Sequence, residues 1–378
     1  MSRALRALAC SLTLVSVALS AFGCSPGGAE LEPTNTPMTT EVPAPSATLS
    51  SPSVKIGFVF LEGIDAIGWS QRANLGRLAV EEAFPEVETV YVDNVPVSGD
   101  ATRTLEQLIE DGCTMIFVTS SLADFTTQVA RDHPEITFVA FGLGETLDNI
   151  RYYMMDIWTP GYLIGMAAGL LTETNEIGYL QGFPGYYSDV NAYLFGAQSV
   201  NSDVTAKVVY VGSYADPVAE EQLASALIAD GADFLYGMTR SLNFMQMAEE
   251  KGVWGTSLYV DERNIAPNAY VTSMMLYMEP YFTDQVGRFL DGTWEGGGYD
   301  IVPFGDMTGL DTWGAGVPQE VRDQVDAMSQ RIRDGFNPFV GPMYDAEGTL
   351  RVPEGQPLTF EDMIFGEPWP IQGLIVSP

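Results

Sequence analysis

The chain has 378 residues, 50 of them acidic against 17 basic, for a formal net charge of -33. A surface of that sign repels phosphate backbones and anionic headgroups, which excludes nucleic acid as a partner and adsorption to an anionic lipid face. A single histidine and three cysteines exclude histidine-rich metal centres and leave Ser-His-Asp and Cys-His catalysis almost without material, while carboxylate chemistry stays open.

Taken in chain order, the first feature is a basic start, Arg3 and Arg6, followed by an apolar run from Ala7 to Phe22 that closes at Gly23-Cys24. Such a segment reads as a secretory signal, too short for a permanent membrane span. The cysteine at the cut position makes it a lipoprotein signal over residues 1–24, with Cys24 acylated as the new N-terminus. Loss of the two arginines takes the net charge from -33 to -35. Residues 25–52 are Pro, Ser and Thr punctuated by acids, without an apolar period. That composition cannot bury enough surface to offset its ordering entropy and predicts a disordered tether. Cys10 leaves with the signal, so Cys113 is left without a disulfide partner and is expected as an inert, half-buried thiol.

From Val54 short apolar runs alternate with amphipathic stretches. Strands are predicted at Val54–Phe60, Thr89–Val92, Met115–Thr119 and Thr137–Phe141, with helices near Gln71–Ala83, Asp100–Glu110 and Leu122–Arg131. In the second helix Ala101, Leu105, Leu108 and Ile109 form a stripe that faces a sheet. The rhythm restarts with a helix from about Pro160 to Thr172, whose Gly161, Gly165 and Gly169 would let it pack closely on a sheet. Strands follow at Glu176–Leu180, Lys207–Val211, Phe234–Gly237 and Trp254–Leu258, with helices near Asp189–Val200, Pro217–Asp230 and Leu242–Lys251. Beyond lie a strand at Tyr270–Met274, helices at Pro280–Asp291 and Pro318–Gly335, and a Pro- and Gly-rich tail from Asn337. Continuous apolar strands between amphipathic helices make parallel sheets covered on both faces. The expected fold is therefore α/β, with two Rossmann-like lobes joined by hinge crossovers. Residues 53–150 and about 270–320 are assigned to the first lobe, about 151–269 and 321–378 to the second.

Open parallel sheets bind ligands beyond the C-terminal ends of their strands. The residues predicted there are aromatic and acidic: Asp65 and Trp69 after the first strand, Phe141 at the end of the fourth, Phe183 and Asn191 after the restart, and Tyr259 and Asp261 after Trp254–Leu258. Aromatic faces and carboxylates on facing edges suit a flat polar ligand. The step Gly142-Leu143-Gly144 lacks the third glycine and the position of a dinucleotide fingerprint, so neither a nicotinamide site nor any other cofactor is expected.

Four segments carry a family likeness: Gly68-Trp69-Ser70 with Gly76-Arg77; Asn149 to Thr172; Asn175-Glu176-Ile177-Gly178-Tyr179 through Asn191-Ala192-Tyr193 to Asn201; and Ala248 to Val253 continuing to Ala266-Pro267. The tail Gly341-Pro342 to Ile371-Gln372-Gly373 also fits. With these in collinear order, the chain resembles the BMP (basic membrane protein) family of substrate-binding lipoproteins of ABC importers. The resemblance implies a type I periplasmic-binding-protein fold closing on a purine nucleoside or base, with Trp69 flanking the ring and Asn191 and Asp261 at matching positions. Tyr259 stands where relatives carry an acid, and Met275-Leu276-Tyr277-Met278-Glu279 where they are often rich in tryptophan. Implied partners are a small purine-like ligand, an ABC permease with its ATPase, and the membrane through the N-terminal lipid, around an extracytoplasmic monomer. A ligand-presenting sensor for a receptor kinase is the second reading. A hydrolase using Asp65 and Asp261 as acid and base is the third and is disfavoured.

Overall fold

The computed structural model describes residues 54–65, 67–184 and 187–377; the expected signal segment, Cys24 and tether lie outside them. Among the described residues no helix is long and apolar enough to cross a membrane. The chain begins with β1 (Lys55–Val59), α1 (Trp69–Ala83), β2 (Glu88–Val92), α2 (Gly99–Glu110), β3 (Met115–Val118), α3 (Ala123–Asp132), β4 (Thr137–Phe141) and β5 (Ile150–Met155). A second run follows: α4 (Trp158–Leu171), β6 (Glu176–Gln181), α5 (Tyr187–Gln198), β7 (Thr205–Tyr210), α6 (Pro217–Ala229), β8 (Phe234–Met238), α7 (Asn243–Lys251), β9 (Trp254–Leu258) and β10 (Tyr270–Leu276). The remainder is α8 (Glu279–Leu290), β11 (Gly298–Val302), β12 (Thr308–Leu310), α9 (Gln319–Arg333), β13 (Met343–Tyr344), β14 (Leu350–Val352), α10 (Phe360–Phe365) and β15 (Leu374–Val376).

Two sheets organise these elements. The first has the order β11-β5-β4-β3-β1-β2, the second β12-β10-β9-β8-β6-β7-β15. Pairing is parallel throughout both sheets except for β12, which runs antiparallel to β10. The central strands are apolar because both faces are covered: all four residues of β3 are buried, as are five of the six in β6.

Three expectations are corrected. The strand Tyr270–Leu276 pairs with β9 and belongs to the second sheet. The chain therefore returns to the first lobe at α8, not at residue 270, and re-enters the second sheet at β12, well before residue 320. Second, β5 was not anticipated. Its Arg151 interrupts the apolar pattern, and the Arg151 guanidinium gives two hydrogen bonds to Asp300 on neighbouring β11, at 2.6 and 2.7 Å. Third, the glycines of α4 serve a helix, not a sheet. A Cβ on Gly165 would stand 1.9 Å from the Tyr193 carbonyl oxygen of α5, and one on Gly196 would stand 2.0 Å from that of Tyr162. Only glycine admits so close a backbone approach. Cys113 is fully buried, and burial pushes its thiol up to about 11.

The crossovers between the lobes are bonded to each other. Asp156, between β5 and α4, donates its N–H to Val302 and accepts from the Thr308 hydroxyl at 2.6 Å. Tyr277, between β10 and α8, donates to Met307 at 2.8 Å. These three strands of chain form one hinge bundle, which leaves the C-terminal strand ends of both sheets facing a common cleft.

Candidate functional site

The cleft is built from loops that leave the C-terminal ends of β1, β3, β4, β8 and β9. Gly68 caps α1 with φ +118, a conformation only glycine adopts without strain, and its Cβ position lies 3.2 Å from the Arg240 side chain of the other lobe. Trp69 follows as the first residue of α1. Its indole N–H donates to the Thr119 carbonyl oxygen at 2.5 Å, which fixes the ring beside the end of β3. The Phe141 ring lies 4.7 Å from it at 58°, and the Tyr259 ring of the second lobe 6.0 Å from it at 69°. Tyr153 extends the cluster, 5.7 Å from Phe141. Tyr259 adopts φ +67, a rare conformation for a bulky residue, directly after β9. Its hydroxyl is pushed well above the usual phenol range, first by burial and then by the negative charge of Asp189.

Polar groups ring these aromatics. The hydroxyls of Ser120 and Tyr153 in the first lobe and Thr239 in the second are enclosed without a hydrogen-bond partner. Burial pushes the Asp189 carboxyl up to about 7, against the opposing influence of Trp158 and Ser188. Across the cleft, Arg240 of the β8–α7 loop forms an ion pair with Glu62 of the β1–α1 loop. The Arg240 guanidinium also lies 5.6 Å over the Tyr214 ring. Nearby, Arg72 donates to the Leu276 carbonyl oxygen at 2.6 Å and covers Tyr277 at 5.4 Å.

The expected residues divide accordingly. Trp69, Phe141 and Tyr259 come together. Phe183 is exposed and meets Tyr214 edge-on at 5.2 Å, beside the Arg240 contact. Asp65 is exposed in the β1–α1 loop. Asn191 is engaged elsewhere: its side chain donates to Trp369 and accepts from Ile371, at 2.7 and 2.9 Å, and so fastens the C-terminal tail to α5. Asp261 is held by Arg263, whose Nε lies 2.8 Å from its Oδ1. Burial of Asp156, Glu220 and Glu262 was not read from the sequence, and neither was the Glu62–Arg240 pair. The rule that sites gather after strand ends would have pointed to Arg240, two residues past β8.

Residues 53–327 match the family described as ABC transporter substrate-binding protein PnrA-like, designated Bmp. The chain belongs to the Bmp family. A purine-binding protein of Brucella abortus is 29% identical over 317 residues, covering 80% of this chain and 88% of its own. A Haloferax volcanii protein named for glucose binding in an ABC transporter is 32% identical over 302 residues, 78% of this chain and 76% of its own. Among solved structures, an ABC transporter solute-binding protein from Conexibacter woesei superposes with a TM-score of 0.62 at 19% identity, covering 75% of this chain and 97% of that one. That likeness establishes the fold, a type I periplasmic-binding-protein architecture. As a Bmp substrate-binding protein, the chain acts outside the cytoplasm with a small-molecule ligand and with the permease and ATPase of a transporter.

Proposed function

We propose that this Bmp protein captures a flat heterocyclic solute, a purine nucleoside or nucleobase, and delivers it to an ABC importer without chemical change. The observation that carries the reading is the convergence of Trp69 and Phe141 from one lobe with Tyr259 from the other. Stacking on such faces contributes about 1–3 kcal/mol per ring. The enclosed hydroxyls of Ser120, Tyr153 and Thr239 supply donors and acceptors for the edge of a base. Closure brings Glu62 to Arg240, so the bound form has a surface that a permease distinguishes from the open one. Acylation at Cys24 and a tether over residues 25–52 would hold the body near its transporter at an effective concentration of roughly millimolar. The protein is taken as a monomer.

A thermal-shift screen against nucleosides, nucleobases, sugars and amino acids tests this. A purine at a hundred times its dissociation constant is expected to stabilise the fold by about 2.7 kcal/mol, seen as a raised Tm. A response confined to sugars would transfer the assignment to the class named by the Haloferax relative.

A further inference from the structure

The tail after α9 lies beyond the stretch that matches the family, which ends at residue 327, and it touches both lobes. Its far end is fastened to the second. β15 extends the second sheet, with Leu374, Ile375 and Val376 beside Ala206, Lys207 and Val208 of β7. The Asn191 side chain of α5 holds Trp369 and Ile371, and Phe339 meets Tyr162 of α4 edge-on at 5.7 Å. Between these anchors runs α10, whose first turn is fixed by a reciprocal capping box: the Asp362 N–H donates to the Thr359 hydroxyl at 3.1 Å, and the Thr359 N–H to the Asp362 carboxylate at 3.0 Å. Phe360 then stacks on Trp158, two residues past the hinge residue Asp156, at 5.3 Å and 29°. At the other end of the helix Phe365 meets Tyr299 at 6.0 Å and 73°. Tyr299 belongs to the first lobe. It sits on β11, the edge strand of the first sheet, stacks on Tyr152 at 5.8 Å, and donates its hydroxyl to the Gly144 carbonyl oxygen. Phe365 is 58% exposed, so its ring fills no core.

A ring pair that joins two bodies is sensitive to the angle between them. Tyr299 is carried by the first sheet and Phe365 by a tail anchored to the second lobe, while the hinge bundle of Asp156, Tyr277 and Met307 lies between. Rotation about that bundle changes the spacing of the rings, and aromatic pairs attract only over about 4.5–7 Å between centroids. The contact coexists with the Glu62–Arg240 pair across the cleft, so it is a contact of the closed arrangement. We propose that the C-terminal tail is a strap over the hinge, whose Phe365–Tyr299 contact favours the closed arrangement and so sets, from outside the cleft, the fraction of the protein competent to hold ligand. Apparent affinity scales with that fraction even when every cleft residue is unchanged. The inference rests on the clamshell reading above but not on the identity of the solute.

The test compares the full chain with Phe365→Ala by small-angle X-ray scattering without ligand and by calorimetric titration with adenosine. Phe365→Ala is expected to show a larger radius of gyration than the wild type and to bind adenosine about two- to fivefold more weakly, with Tm little changed. Phe365→Leu, which keeps an apolar side chain but no ring, should fall between the two. Tyr344→Ala removes a 41% exposed ring from the β13–β14 hairpin of the same tail and should keep wild-type scattering and affinity. The proposal is overturned if Phe365→Ala scatters like the wild type or is more compact, or if adenosine binds both equally. It is overturned equally if Tyr344→Ala opens the protein as far, because the effect is then a general loosening of the tail. If adenosine binds neither protein, the purine assignment falls and the scattering comparison alone decides for or against the strap.

Discussion

Individual buried charges are held differently in the two lobes. In the first, Arg151 gives a two-pronged contact to Asp300 that Tyr281 reinforces at 2.8 Å, and Arg77 bridges Glu81 and Thr89. In the second, burial raises Glu262 to about 8 and Asp189 to about 7, and neither has a basic residue in an ion pair. The Arg151–Asp300 contact is compensated in place. The Glu262 carboxyl, by contrast, has a protonation state set by the pH of the solution.

Substitutions at matched places should separate the lobes most strongly. Arg151→Met strands Asp300 half-buried beside Tyr281, and a loss of about 2–3 kcal/mol is expected in denaturant unfolding, discounted for partial exposure. Glu262→Gln removes a charge that burial already disfavours and should be neutral or stabilising at pH 7.5. Equal losses at both positions would remove the contrast.

The pH dependence follows from the direction of the shift. The Glu262 carboxyl moves from 4.5 to about 8 on folding, so between those values the folded protein binds more protons than the unfolded chain. Stability is therefore fullest below about pH 4.5 for this group and is lost as pH rises towards 8, by roughly 5 kcal/mol at most at about 1.36 kcal/mol per pH unit. Tm measured from pH 5 to 8 should fall for the wild type and fall less for Glu262→Gln. A wild-type profile that rises across this range would show the carboxylate to be compensated.

The cleft and the tail give a third contrast. Trp69→Ala should weaken ligand binding ten- to a hundredfold with little change in Tm, since its ring stands on the cleft face. Asn191→Ala breaks two hydrogen bonds to the tail and should cost about 1–2 kcal/mol of stability with affinity unchanged. The smallest effect is expected at the inter-lobe pair. Glu62→Gln or Arg240→Met should alter affinity by a few-fold, increasingly masked by salt, because both side chains are partly solvated.

The fold was legible because its strands are apolar runs and its helices carry stripes such as Ala101, Leu105 and Leu108. What the sequence obscured depends on pairing at a distance. β5 contains Arg151, which reads as polar until Asp300, about 150 residues away, is beside it. Tyr270–Leu276 gives no local sign of which sheet it joins; its register with β9 decides that. Trp69, Phe141 and Tyr259 were expected as bulky rings at a strand end or in the loop that follows one, and the structure brings the three rings together. Asn191 was misleading because an asparagine opening a helix looks the same whether it meets a ligand or the carbonyl of Trp369. The burial of Glu220 and Glu262 was invisible, since acids in loops and first helical turns ordinarily face water.

Titration calorimetry of the wild type and Trp69→Ala, each with a purine nucleoside and with glucose, tests the central claim most directly. The account predicts binding of the purine by the wild type, ten- to a hundredfold weaker binding by Trp69→Ala, and no heat from glucose. Glucose binding with the purine inert, or equal purine affinity in both proteins, would contradict it.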